Sequence, residues 1–168
     1  MAETQRDAER DIQRDFQRDI QRDIQRDPQQ TADAVAAHML ARDRASASLG
    51  MTLLAIAPGQ ATMAMTVRDD MLNGLDTCHG GLITTLADSA FAFACNSHGD
   101  LAVAACLTID FIAPVRLGDV LTAQATEVAL AGRTGVYDVE VHNQRKERVA
   151  VMRGRAHRTK APAPGAAA

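Results

Sequence analysis

The 168-residue chain has no uninterrupted apolar stretch approaching 18 residues, so the sequence offers no candidate for a membrane-spanning helix. It lacks a basic surplus too. Formal net charge is −3 at pH 7, and residues 31–168 hold 12 Lys and Arg against 13 Asp and Glu, a balance that argues against general nucleic-acid binding. Cysteine is scarce and odd in number (Cys78, Cys95 and Cys106), and no charged-then-apolar leader opens the chain. A reduced, cytoplasmic protein is therefore expected. The five histidines, His38, His79, His98, His142 and His157, show no paired spacing with cysteines or carboxylates, so neither a metal nor another cofactor is expected.

What is present begins with a repeat. Residues 5–27 read Gln/Glu-Arg-Asp-apolar six times, with Ile12, Phe16, Ile20 and Ile24 at every fourth position. Each unit of four advances about 400° around a helix, so the apolar stripe winds round it instead of facing one core. Residues 1–30 are expected to be a low-complexity charged arm, helical or fluctuating, ended by Pro28. Residues 31–158 should form one domain, and residues 159–168 a disordered Ala/Pro tail.

Within the domain, Asp88 stands out as the only charged side chain between His79 and His98. Its surroundings, Leu82 to Cys95, are rich in Ala and Leu and apolar on every side of a helical wheel, which indicates a buried helix. A carboxylate there must be hydrogen-bonded, protonated or catalytic, because burying it unpaired costs several kcal/mol or more. The stretch before it, Asn73-Gly-Leu-Asp-Thr-Cys-His-Gly-Gly81, ends in paired glycines that let backbone approach a ligand closely. Free N–H groups at a helix N-terminus make an oxyanion site. Gly80 and Asp88 should lie about 12 Å apart along the axis. One carbonyl cannot reach both in one chain, so a site using both needs two helices side by side and antiparallel, in at least a homodimer.

The sequences Met71-Leu-Asn-Gly-Leu-Asp-Thr-Cys-His-Gly-Gly81, Leu86 to Ser97, Thr108-Ile-Asp-Phe-Ile-Ala-Pro114 and Arg153-Gly-Arg-Ala-His-Arg158 together resemble the hotdog-fold acyl-CoA thioesterases of the phenylacetate-degradation type. The resemblance covers about residues 31–158. It implies hydrolysis of a thioester such as phenylacetyl-CoA or hydroxyphenylacetyl-CoA. Asp88 would be nucleophile or general base, the Gly80 N–H would polarise the carbonyl, and His79 and Asn73 would orient carbonyl and water. The resemblance further implies that the aspartate would come from one subunit and the other groups from its partner, in a dimer or a dimer of dimers. Coenzyme A is then part of the substrate. Relatives carry a serine or threonine on the strand after the helix, where this chain reads Ala102-Val-Ala-Ala-Cys-Leu-Thr108; Thr108 is the candidate stand-in. Competing functions are a non-catalytic acyl-CoA-binding protein and an enoyl-CoA hydratase or dehydratase.

Gly81, Leu72, Phe111 and Thr108 complete the candidate substrate contacts. Arg116 and Arg155, out of a wider set with Arg133, Arg145, Lys146, Arg148 and Arg158, are the candidates for the coenzyme A phosphates. The fold expected is α+β, a curved antiparallel sheet wrapped around one long central helix that begins near Gly80. Expected elements are a helix from Thr31, its N-cap, to about Ser48; strands 51–57 and 60–68; and a four-strand meander at 101–113, 120–130, 134–142 and 148–158.

Overall fold

The computed structural model describes residues 27–166. The repeat at 5–27 lies outside them except for Asp27, and so does the end of the tail at 167–168. The chain forms helices α1 (Pro28–Leu40) and α2 (Arg44–Ser48), strands β1 (Thr52–Ala57) and β2 (Gln60–Thr66), a 3-10 turn (Asp69–Met71), helix α3 (Gly80–Asn96), and strands β3 (Asp100–Phe111), β4 (Val120–Ala131), β5 (Thr134–His142) and β6 (Arg148–Pro162). All six strands join one antiparallel sheet in the order β1-β2-β4-β5-β6-β3. A single helix, α3, touches every one of them, which requires the sheet to curl around it.

The alternation expected of half-buried strands holds. Leu121, Ala123 and Ala125 of β4, Tyr137, Val139 and Val141 of β5, and Ala150, Met152 and Ala156 of β6 face inward. They pack on Ile83, Leu86, Ala87, Ala90, Phe91, Phe93 and Ala94 of α3, and each large side chain so buried contributes about 1.5–3 kcal/mol. Gly154 has a packing role: a Cβ there would lie 2.9 Å from the Phe91 ring, so only glycine lets helix and strand approach this closely.

Four expectations change. The strands do not make a four-strand meander, because β3 pairs with β6 at the far edge and not with its successor β4. The connection 112–119 crosses the end of the sheet instead, anchored where Cys78 N–H donates to Val115 O and Val67 N–H to Asp119 O, each at 2.9 Å. The single helix 31–48 is two, because Asp43 caps a fresh start by accepting from Ser46 N–H at 2.9 Å. Thr31 is not the cap of the first. Asp27 is, accepting from Gln29 N–H at 3.0 Å, and Pro28 opens that helix at the position where a missing N–H costs nothing.

The fourth concerns the tail. β6 runs past Arg158 to Pro162, Ala163 N–H bonds Gly99 O at 2.8 Å, and Ala163 and Ala166 are buried against Val35 of α1. Small residues fit where two elements close together, which an Ala/Pro-rich composition conceals. Truncation after Arg158 is expected to lower stability by about 1–2 kcal/mol, about 3–8 °C in Tm, measured by thermal unfolding.

Candidate active site

The 3-10 turn feeds a tight loop, 72–79. Leu72 and Cys78 form an isolated bridge, His79 N–H reaches back to Met71 O at 2.8 Å, and Asp76 adopts a φ of 54°. Asn73 organises this loop from within. Its Oδ1 accepts from Leu75 N–H at 2.8 Å, from Thr77 Oγ1 at 3.2 Å and from Thr77 N–H at 3.4 Å. Its amide nitrogen makes no hydrogen bond among the described residues and remains a donor for a ligand.

The loop delivers the chain into α3 with His79 as N-cap. The ring Nδ1 accepts from Gly81 N–H at 3.0 Å, and His79 O accepts from Leu82 at 2.9 Å and Ile83 at 3.4 Å. Of the first four helical N–H groups, only that of Gly80 is left without a partner among the described residues. The positive end of the helix dipole adds to it. His79, the residue expected to orient a carbonyl, builds the helix start through Nδ1, which places the proton of the neutral ring on Nε2. Gly81, expected to contact substrate, has its N–H committed to that cap.

Gly80, Asn73 and Phe111 come together in one cleft of about 340 Å³, walled also by Thr77, Cys78, Ile83 and the crossing segment Ile112–Val115. The cleft wall combines the Gly80 and Asn73 N–H donors with the apolar side chains of Ile83, Phe111, Ala113 and Val115, an arrangement suited to a carbonyl carrying an apolar group. Cys78 is no nucleophile here: burial pushes its thiol up, and its sulfur lies 3.8 Å from His79 O.

Asp88 sits two turns further along α3. It is half-buried, desolvation raises its carboxyl above the ordinary range, and it makes no hydrogen bond or ion pair among the described residues. Thr84, Thr85, Ser89 and Ala92 are half-buried with it, a strip of α3 that the sheet leaves uncovered. Thr84 and Thr85 bond the preceding turn, to Gly80 O at 2.9 Å and Gly81 O at 2.8 Å. Asp88 does not line the cleft of its own chain.

The remaining candidates scatter. Leu72 packs against the core and is absent from the cleft wall. Thr108 is on the outer face of the sheet, opposite Arg153, because strand alternation turns Leu107 and Ile109 inward; it lines a different hollow, with Asp110 and Asp138. Arg155 is also outside, opposite Cys106 and Val136. Arg116 follows Val115 on the cleft's crossing segment, exposed beside Asp119. Arg145 pairs with Glu147 at 2.9 Å, Arg148 with Glu140 at 2.8 Å, and Arg158 with Asp100. Arg116, Arg133, Lys146 and Arg155 form no salt bridge among the described residues.

One polar cluster went unread in the sequence. Glu127 Oε2 lies 2.7 Å from His98 Nε2 and accepts from Tyr137 OH at 2.8 Å, tying the C-terminal end of α3 to β4 and β5. The signal was available: Glu127 continues the inward series Leu121, Ala123, Ala125. No group of three or more His, Cys, Asp or Glu close enough to hold a metal ion occurs among the described residues.

The thioesterase superfamily sequence model matches residues 75–150, a span that takes in Gly80, Asp88 and Phe111 but begins after Asn73. The acyl-coenzyme A thioesterase PaaI of Escherichia coli K12 is 47% identical over 120 residues, covering 71% of this chain and 86% of that protein. The chain belongs to the thioesterase superfamily. The solved structure of the E. coli PaaI protein, from the phenylacetic acid degradation operon, matches this superfamily member with a TM-score of 0.79 and 43% identity, over 81% of this chain and 99% of the other. A Streptococcus mutans protein solved with acetyl-CoA bound matches at TM-score 0.63 and 30% identity, over 65% of this chain and 88% of the other. The hotdog arrangement of helix and sheet is thus the fold of this thioesterase-superfamily chain.

Proposed function

We propose that the chain hydrolyses acyl-CoA thioesters to the free acid and coenzyme A, with phenylacetyl-CoA and its ring-hydroxylated forms as the substrate class. The observation that carries this is the pairing of a free Gly80 N–H in a partly apolar cleft with a desolvated, unpartnered Asp88 on the same helix. The first supplies the oxyanion donor, with the Asn73 amide lining the same cleft, and the second supplies the nucleophile or general base. Water adds across the acyl carbon, directly or after attack by the carboxylate; the C–S bond breaks and the thiolate leaves as coenzyme A. The names of the E. coli relative favour an arylacetyl group.

The working unit in this reading is a homodimer, and a dimer of dimers beyond it. β3 is an open sheet edge whose residues 103–106 are exposed in succession, and the uncovered strip of α3 carries Asp88. A second copy seated there brings its Gly80 toward Asp88. Arg116, exposed and next in sequence to Val115 of the cleft wall, and Arg155 are the cations proposed for the coenzyme A phosphates. No nucleic acid, membrane or cofactor enters this reading, and the expected location is the cytoplasm. No helix among the described residues is long and apolar enough to cross a membrane.

Release of free thiol from phenylacetyl-CoA, hydroxyphenylacetyl-CoA and octanoyl-CoA tests the proposal. Turnover is expected, fastest with the aryl substrates; tight binding without turnover would identify an acyl-CoA-binding protein instead.

A further inference from the structure

We infer that Phe111 sets the acyl selectivity of the cleft, favouring thioesters with an aromatic ring close to the carbonyl over linear acyl chains. The inference rests on the thioesterase reading of the same cleft and assigns its selectivity to one side chain. Aromatic residues are few here, and three of the four in the described chain are spent on the core. Phe91, Phe93 and Tyr137 are fully buried, Phe91 and Tyr137 edge to face with centroids 5.5 Å apart at 70°. Phe111 is 52% exposed and is the one aromatic among the described residues that a ligand can reach.

Its place is specific. Phe111 ends β3 opposite Ala150, whose single methyl offers the ring no aromatic neighbour across the strands. The ring rests instead on Gly80: a Cβ built there would meet Phe111 Cζ at 3.0 Å and the two Cε atoms at 3.3 and 3.4 Å. Glycine therefore does two things at position 80. It leaves an unpartnered N–H for a carbonyl, and it lets an aromatic ring lie against the same backbone. An acyl group whose carbonyl reaches that N–H enters the cleft that the Phe111 ring lines beside Gly80, together with Ile83, Ala113 and Val115.

An aryl group there gains an aromatic–aromatic contact beyond the area it buries, equivalent to about two- to tenfold in binding. A linear chain gains only the area, which leucine supplies comparably. Phe111→Leu is accordingly the discriminating substitution, since it keeps an apolar branched side chain and removes the ring. Its exposure makes the change tolerable to the fold, which a melting curve and native mass verify.

The experiment compares kcat/KM for phenylacetyl-CoA and octanoyl-CoA in wild type, Phe111→Leu and Phe111→Ala, using full-length protein and thiol release. The ratio of aryl to linear substrate is expected to fall by about two- to tenfold in Phe111→Leu and at least as far in Phe111→Ala. An unchanged ratio, or an equal loss on both substrates, overturns the assignment. So does a variant of reduced native mass, which would make Phe111 a seam residue between subunits. A wild type that turns over neither substrate would overturn the thioesterase reading itself, an outcome visible before any variant is made.

Discussion

Asp88→Asn should reduce turnover of acyl-CoA by about 10²–10⁴-fold while preserving fold and native mass. The substitution is nearly isosteric, and the carboxylate it removes has no hydrogen bond or ion pair among the described residues to lose. Nothing in the fold depends on that charge. Contrast Asp43, whose carboxylate caps α2 and binds the Ser46 hydroxyl at 2.6 Å; there the amide would cost stability. Activity of Asp88→Asn within a few-fold of wild type, measured by single-turnover thiol release, would remove Asp88 from the mechanism.

The pH dependence follows from the same desolvation. A folded carboxyl raised above its unfolded value binds its proton more tightly in the native state. The native state is then favoured at low pH, and stability is lost as pH rises through the window between the ordinary carboxylate value of about 3.9 and the raised native one. At neutral pH the ionised Asp88 is a stability cost that Asn does not carry. Asp88→Asn is therefore expected to melt at or above the wild-type temperature at pH 7–8, with the difference vanishing in acid. Activity runs the other way, since base or nucleophile must be ionised: kcat/KM should fall on the acid side at a pH above that of an ordinary aspartate. A residue that destabilises the fold in the form that catalyses is what an active site is expected to hold.

How far this was legible in the sequence depends on the range of the interactions involved. The α3 helix, its start at Gly80 and the isolation of Asp88 all follow from local composition and spacing, and the structure has each of them. The strip of α3 around Asp88 is half open where the wheel suggested full burial, because the sheet of one chain runs out before covering it. Strand existence was readable from period-two alternation, but not the edge position of β3, since pairing with β6 rather than β4 is decided by a crossing segment whose anchors, Val115 and Asp119, bond residues more than 35 positions away. Thr108 illustrates the same limit at one residue: a motif places it near the site, while alternation in β3 turns it to the outer face. His79 was visible as a conspicuous residue, but its capping bond to Gly81 depends on a ψ of 128° that no composition reveals.

That ψ also makes the second large prediction clean. Proline restricts the residue before it to extended backbone and is best tolerated at the first helical position, and His79 and Gly80 already meet both conditions. Gly80→Pro thus deletes the unpartnered N–H with little disturbance to the helix start, and turnover should drop by about 10²–10³-fold. Gly80→Ala serves as the control, because it presents the same Cβ to the Phe111 ring at 3.0 Å but keeps the N–H. The decisive step is to mix the two inactive proteins. Gly80 and Asp88 are about 12 Å apart along one helix, too far to serve one carbonyl, so each site should join Gly80 of one subunit to Asp88 of the other. A hybrid of Asp88→Asn with Gly80→Pro then contains one intact site and one doubly defective site. Random reassociation of equal amounts, after denaturant-assisted subunit exchange, should restore about a quarter of wild-type activity, half the dimers being hybrid with half their sites intact. If both residues acted within one chain, no pairing of the two variants would recover anything; recovery to about that fraction requires the site to be shared.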